Sequence, residues 1–166
     1  VVLGKPVGNG HPIGVVITTA DIAASFANGM EFFSTFGGTT LACRIGAEVL
    51  AIVDDEGLAQ NAADRGQQLL GGFRELASCH TLIGDVRGRG LFLGVELVTD
   101  RTTKDPAGAL ASYVSNRLRD HRILIGTDGP FHHVLKIRPP LTISATDCDL
   151  LLARLDDILH EAALLN

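Results

Sequence analysis

The chain has 166 residues, 46% hydrophobic and 20% charged, an ordinary soluble globular composition long enough to bury one core. Fourteen Lys and Arg against 19 Asp and Glu leave a net charge of −5, and without basic runs or interleaved aromatics a nucleic-acid surface is excluded. No apolar stretch reaches membrane-spanning length, and the N-terminus lacks the basic start and small-residue cleavage site of a signal peptide, so the cytoplasm is the expected compartment.

In chain order, the apolar run Val1-Val2-Leu3 leads into Gly4-Lys5 and then into Pro6-Val7-Gly8-Asn9-Gly10-His11-Pro12, where prolines and glycines force a turn out of extended structure. That places the Lys5 amine at a strand end near apolar walls. Burial of this kind lowers a lysine's pKa and makes it a nucleophile toward carbonyls; the alternative is a surface lysine at a strand terminus. Residues 13–18 form a short β-branched run that predicts a strand buried on both faces. Asp21 reads as the N-cap of a short helix through Ile22, Ala23, Phe26 and Ala27, closed by Gly29.

Leu41, Ile45, Val49 and Ile52 predict a helix over 39–54, and Leu58, Ala62, Leu69, Phe73 and Leu76 a second over 55–78, with a break at Asp54-Asp55-Glu56-Gly57. Residues 86–98 read as one strand carrying Gly88, Gly90 and Gly94 where backbones or ligands approach closely. Pro106 opens a helix to about Arg122. Residues 123–125 and 134–138 read as strands around the Asp128-Gly129-Pro130 turn, and Asp147 precedes a last helix with Leu151, Leu155, Ile158 and Leu159 on its apolar face. Strands and helices without strict alternation imply an α/β sandwich.

Several segments carry residue types suited to chemistry. Ser34 and Thr35, just ahead of Gly37-Gly38 and a helix start, supply hydroxyls and backbone N–H groups of the kind that bind phosphate; a simple cap or turn is the alternative. Lys136 and Arg138 share one face of a strand, so both point at one anion or both at water. Arg87 and Arg89 read as exposed or carboxylate-paired. The three cysteines, Cys43, Cys79 and Cys148, form neither a disulfide framework nor a CxxC site and read as small buried apolar groups in a reducing compartment. Six histidines include the adjacent pair His132-His133, but no ligand spacing completes a site there, and no metal is expected.

Four of these segments, in order, resemble the class III aminotransferases. They are Gly4-Lys5-Pro6-Val7-Gly8-Asn9-Gly10-His11-Pro12, then Phe33-Ser34-Thr35-Phe36-Gly37-Gly38-Thr39-Thr40, then Arg87-Gly88-Arg89-Gly90-Leu91, and finally Leu135-Lys136-Ile137-Arg138-Pro139-Pro140-Leu141. The first is most similar to the branch containing ethanolamine-phosphate phospho-lyase. Two positions depart from the family pattern: Thr39-Thr40 stands where Asn-Pro is usual, and Lys136 where an arginine typically grips a substrate carboxylate. Lysine offers a point charge instead of a planar fork, and the phospho-lyase branch also shows lysine in this string.

The resemblance implies the C-terminal part of a fold type I transferase dependent on pyridoxal 5'-phosphate (PLP). Residues 1–78 would be the end of the cofactor-binding large domain with its connecting helix, and 79–166 the small α/β domain. It further implies that Lys5 holds PLP as an imine and that Ser34 and Thr35 serve the cofactor phosphate, Thr35 that of a neighbouring subunit in a homodimer. Lys136 and Arg138 become candidates for a substrate anion. The implied activity is transamination of a small primary amine, with phosphate elimination from a phosphorylated amino alcohol as one alternative and a non-catalytic dimerisation module as another. The chain opens inside a strand without an initiator methionine and shows none of the family's upstream cofactor contacts, so it is expected to be a fragment, inactive in isolation.

Overall fold

The computed structural model describes residues 1–164. The chain divides into two compact units, one over Val1–Gly57 and a second that begins at Leu58.

In the first unit, β1 (Val2–Leu3) pairs antiparallel with β2 (Val15–Val16), and a 3-10 turn over Lys5–Gly8 lies between them. The predicted strand over 13–18 shrinks to this two-residue ribbon. Val16 and Ile17 are exposed, so it is not buried on both faces. Helix α1 (Ala20–Phe26) is capped two residues before the predicted cap: Thr19, not Asp21, accepts the N–H of Ile22, while Asp21 sits in the first turn, where a carboxylate favours the helix dipole. Helix α2 (Thr40–Asp55) follows the predicted period, and Gly57 at φ 61° ends the run within the predicted break. Gly8 is the only buried residue of this unit, and Phe26, Met30, Phe32, Phe33 and Phe36 stand exposed.

The second unit holds the core. A four-stranded antiparallel sheet runs in the order β3 (Ile83–Arg89), β4 (Phe92–Leu97), β6 (Val134–Ile137), β5 (Gly126–Asp128). Helices α3 (Leu58–Cys79), α4 (Gly108–Asp120) and α5 (Ala145–Ala163) form the second layer. Leu93 opposite Ile137 and Val95 opposite Leu135 face these helices, burying Leu69, Phe73, Val114, Leu118, Leu155 and Leu159 against the sheet. The α/β sandwich is as expected, and α3 packs on β3 and α5 within this unit.

Three local readings change. The single strand over 86–98 is a hairpin: Gly90, at φ 54°, turns the chain between Arg89 and Phe92, while Gly88 stays paired with Leu93 at φ 148°. Residues 123–125 are not a strand: Ile123 donates its N–H to Leu118 O at 2.9 Å and closes the end of α4, and β5 starts only at Gly126. The last helix is capped by Ser144, with Asp147 at the third position completing a reciprocal capping box.

Helix α3 touches the hairpin at Gly66, where a Cβ would collide with the carbonyl of Gly90. Because that neighbour is backbone, it has no rotamer with which to yield. Gly66→Ala is expected to destabilise the second unit by about 1–3 kcal/mol despite its higher helix propensity, read as a lowered urea midpoint with an unchanged slope.

Candidate functional site

Strand β1 delivers the chain to Gly4, and Lys5 turns it at φ 49° into the 3-10 turn, with Pro6 fixing the next dihedral. A left-handed backbone costs an ordinary residue about 1–2 kcal/mol, so the turn holds Lys5 in a conformation it would not adopt alone. Asn9, at φ 45°, closes the turn by donating its N–H to Pro6 O at 2.9 Å. Gly8 is packed so closely that a Cβ would meet the Ile13 side chain at 3.2 Å and His11 Cβ at 3.3 Å. His11 thus packs beside the turn.

Lys5 itself is exposed, and among the described residues its amine makes no hydrogen bond or ion pair. The expected apolar walls do not stand around it, because the ribbon is two residues long on each side and Val1, Val2 and Val16 are themselves exposed. What the turn fixes is the lysine backbone, and the amine is free.

The Ser34 corner is built by its own hydrogen bond: Ser34 Oγ accepts the N–H of Gly37 at 2.9 Å. A Cβ at Gly37 would lie 2.8 Å from that oxygen, so a side chain there would have to displace the Ser34 hydroxyl, and Gly38 takes the left-handed φ of 69° that leads into α2. Ser34, Gly37 and Gly38 line an open groove of about 740 Å³ together with Val7, Pro12 and Ile13 from the lysine turn. Lys5 and Thr35 lie outside its lining; both are exposed.

On the outer face of the second unit's sheet, β-register sets another polar group. Lys136 lies opposite Gly94 on one side and Gly126 on the other, and Asp128 lies opposite Val134, so Asp128 and Lys136 are diagonal neighbours on one face. They form an ion pair. That hydrogen bond, with the Gly129 N–H and the charges of Lys136 and Arg138, holds the Asp128 carboxyl below its ordinary range. Lys136 is thus occupied by an aspartate of its own sheet, whereas Arg138 is exposed beyond the strand end; the two line one groove of about 320 Å³ with Arg122.

Arg87 is the functional candidate that sequence reasoning set aside. It lies opposite Gly94, which lacks a side chain, and across that gap from Lys136 a cavity of about 470 Å³ opens between the two cations. Arg87 donates to Asp85 at 2.5 Å and Glu96 at 2.7 Å, so it is carboxylate-paired as read. The missed signal was the glycine between two cationic strand positions.

The first unit carries a lysine on a strained turn and a hydroxyl-diglycine corner, and the second is a small antiparallel α/β sandwich. The chain belongs to the class III aminotransferases, whose family model it matches over residues 1–159; these are PLP-dependent enzymes. It is 42% identical over 151 residues to a Drosophila melanogaster protein described as alanine–glyoxylate aminotransferase 2-like, covering 90% of this chain and 31% of that one. Among solved structures it is similar to a phospholyase from Arthrobacter in complex with phosphoethanolamine, at TM-score 0.91 and 37% identity over 96% of this chain and 38% of that one. It is also similar to an amine transaminase from an uncultivated Pseudomonas species in its PLP-bound form, at TM-score 0.80 and 29% identity over 96% of this chain and 38% of that one. The chain spans about a third of the length of the curated relatives it matches.

The residues present fit PLP in kind. An unpaired primary amine can hold its carbonyl carbon, and a serine corner kept free of any Cβ at Gly37 leaves hydroxyl and backbone donors for its phosphate.

The ion pair on the sheet has a signature in pH. Because the folded Asp128 carboxyl titrates below its unfolded value of about 4, it contributes stability above that pH and loses it as pH falls through the lowered value. Urea midpoints of the wild type and Asp128→Asn are expected to differ at pH 7 and to converge as the pH is taken below about 4.

Proposed function

We propose that this chain is part of a PLP-dependent aminotransferase acting on a small primary amine, with Lys5 as the catalytic lysine. The observation that carries this reading is the free Lys5 amine on a backbone locked by the Lys5–Gly8 turn, within a segment of the aminotransferase family. Lys5 would hold the cofactor, Ser34 would donate to a cofactor phosphate, and Thr35 would donate to that of the neighbouring subunit. Bound PLP supplies an electron sink for the carbon that carries the substrate amine. Lys5 Nζ, once freed and neutral, takes the proton from that carbon and carries it as an ammonium until it is delivered. The exposed aromatics Phe32, Phe33 and Phe36 around Thr35 support a homodimer in which this segment is covered by a neighbouring subunit.

A second reading, elimination of phosphate from a phosphorylated amino alcohol, is favoured by Lys136. Its ammonium is a point charge suited to phosphate, and the likeness to the Arthrobacter phospholyase points the same way. The same lysine chemistry serves both outcomes.

Assays of the full-length protein separate them. Conversion of a keto acid to its amino acid with an amine donor is expected under the first reading, and release of inorganic phosphate from phosphoethanolamine under the second. Borohydride reduction followed by peptide mapping is expected to fix the cofactor on Lys5, and Lys5→Ala should lower turnover by at least about a thousandfold, an activated nucleophile and its proton transfer being lost together. Wild-type turnover in that variant would refute the assignment. The 166-residue chain alone is expected to show no visible absorbance band with added PLP.

A further inference from the structure

Within the second unit, the packing of α3 and α5 brings two imidazoles and a carboxylate to one point. His80 follows directly on α3, its N–H donated to Leu76 O at 2.8 Å and its carbonyl receiving Arg101 Nη2 at 2.8 Å. At 5% exposure it is the only polar or charged residue buried among the described residues. Asp156 and His160 lie four residues apart on α5, so they share one helix face. His80 Nε2 is 2.6 Å from Asp156 Oδ1, and His160 Nδ1 is 3.3 Å from the same oxygen. The two rings are edge to face with centroids 4.4 Å apart. One potential ligand atom from each residue lies within 4.8 Å of the others.

A helix clasp alone would need only the His80–Asp156 bond. The second imidazole adds a further nitrogen beside the same oxygen, which is the donor set of a borderline divalent metal. We propose that His80, Asp156 and His160 form a binding site for a zinc-type divalent cation. Tetrahedral bonds of about 2.0–2.2 Å hold neighbouring ligand atoms about 3.4 Å apart. The His160–Asp156 separation of 3.3 Å already meets this, and the 2.6 Å His80–Asp156 contact has to open by less than 1 Å. The cation takes the place of the proton shared by His80 Nε2 and Asp156, and that proton leaves to solvent. His160 coordinates through Nδ1 with its proton on Nε2, giving up the 3.0 Å contact of Nδ1 with Asp156 O. The side chain of His160 is 68% exposed and that of Asp156 42%, so the fourth position opens to water. Bound there, the cation ties the end of α3 to α5. The adjacent His132-His133 pair plays no part in the site; its ligands come together from positions 76 residues apart.

The test is zinc titration of the full chain after chelator treatment, followed by calorimetry and thermal unfolding. It is run in a Cys43→Ser, Cys79→Ser background, because both thiols are exposed and take zinc themselves. One equivalent of zinc is expected to bind and to raise the unfolding midpoint saturably. His160→Ala, at an exposed position, should weaken the affinity at least tenfold and remove the midpoint shift, and Asp156→Asn should do the same. No uptake by the parent chain, or uptake and a midpoint shift that survive both substitutions, would overturn the proposal.

Discussion

The apolar layer between the four-stranded sheet and helices α3, α4 and α5 is the constraint on which the rest of the second unit depends. Leu93, Val95, Leu97, Leu135 and Ile137 present one continuous face to Leu69, Phe73, Val114, Leu118, Leu155, Ile158 and Leu159. Alternation along β4 and β6 then leaves Gly94, Glu96 and Lys136 on the opposite face, so packing the core determines where the charges meet. The Arg87 and Lys136 groups are consequences of that register. The convergence of His80 with Asp156 and His160 follows likewise from the packing of α3 on α5.

The first unit is organised by turns instead of burial. Its one buried residue is Gly8, and its order comes from a short ribbon, the Lys5–Gly8 turn and the Ser34–Gly37 corner. These devices fix backbone positions for Lys5 and Ser34 without supplying walls. A reactive lysine needs a fixed attachment, and the Lys5–Gly8 turn supplies one.

The helices were legible in the sequence because their apolar periods are long. Leu58 to Leu76 and Leu151 to Leu159 each repeat over several turns, enough to override Gly71-Gly72. The strands were less so: a period of two cannot show that Gly90 reverses the chain, and an apolar tail such as Ile123–Ile125 reads as a strand whether it pairs or closes a helix. Caps were misplaced by two or three residues at Thr19 and Ser144 because an aspartate in the first turn carries nearly the same signal as one at the cap. Of the candidate site, Lys5 and Ser34 were readable from local motifs. The pairing of Lys136 with Asp128 required β-register, and the His80 cluster joined residues too far apart in the chain for any spacing rule to find.

The tie between Lys136 and Asp128 has a consequence for any anion that approaches this face. Capture by Lys136 becomes an exchange in which the newcomer displaces a carboxylate already held by its own sheet, and Asp128 is returned to water. A singly charged carboxylate gains little from such an exchange, since it replaces one partner by its equal. A dianion such as phosphate brings a second charge to the same exchange, within the field of the Arg138 guanidinium that already acts on Asp128.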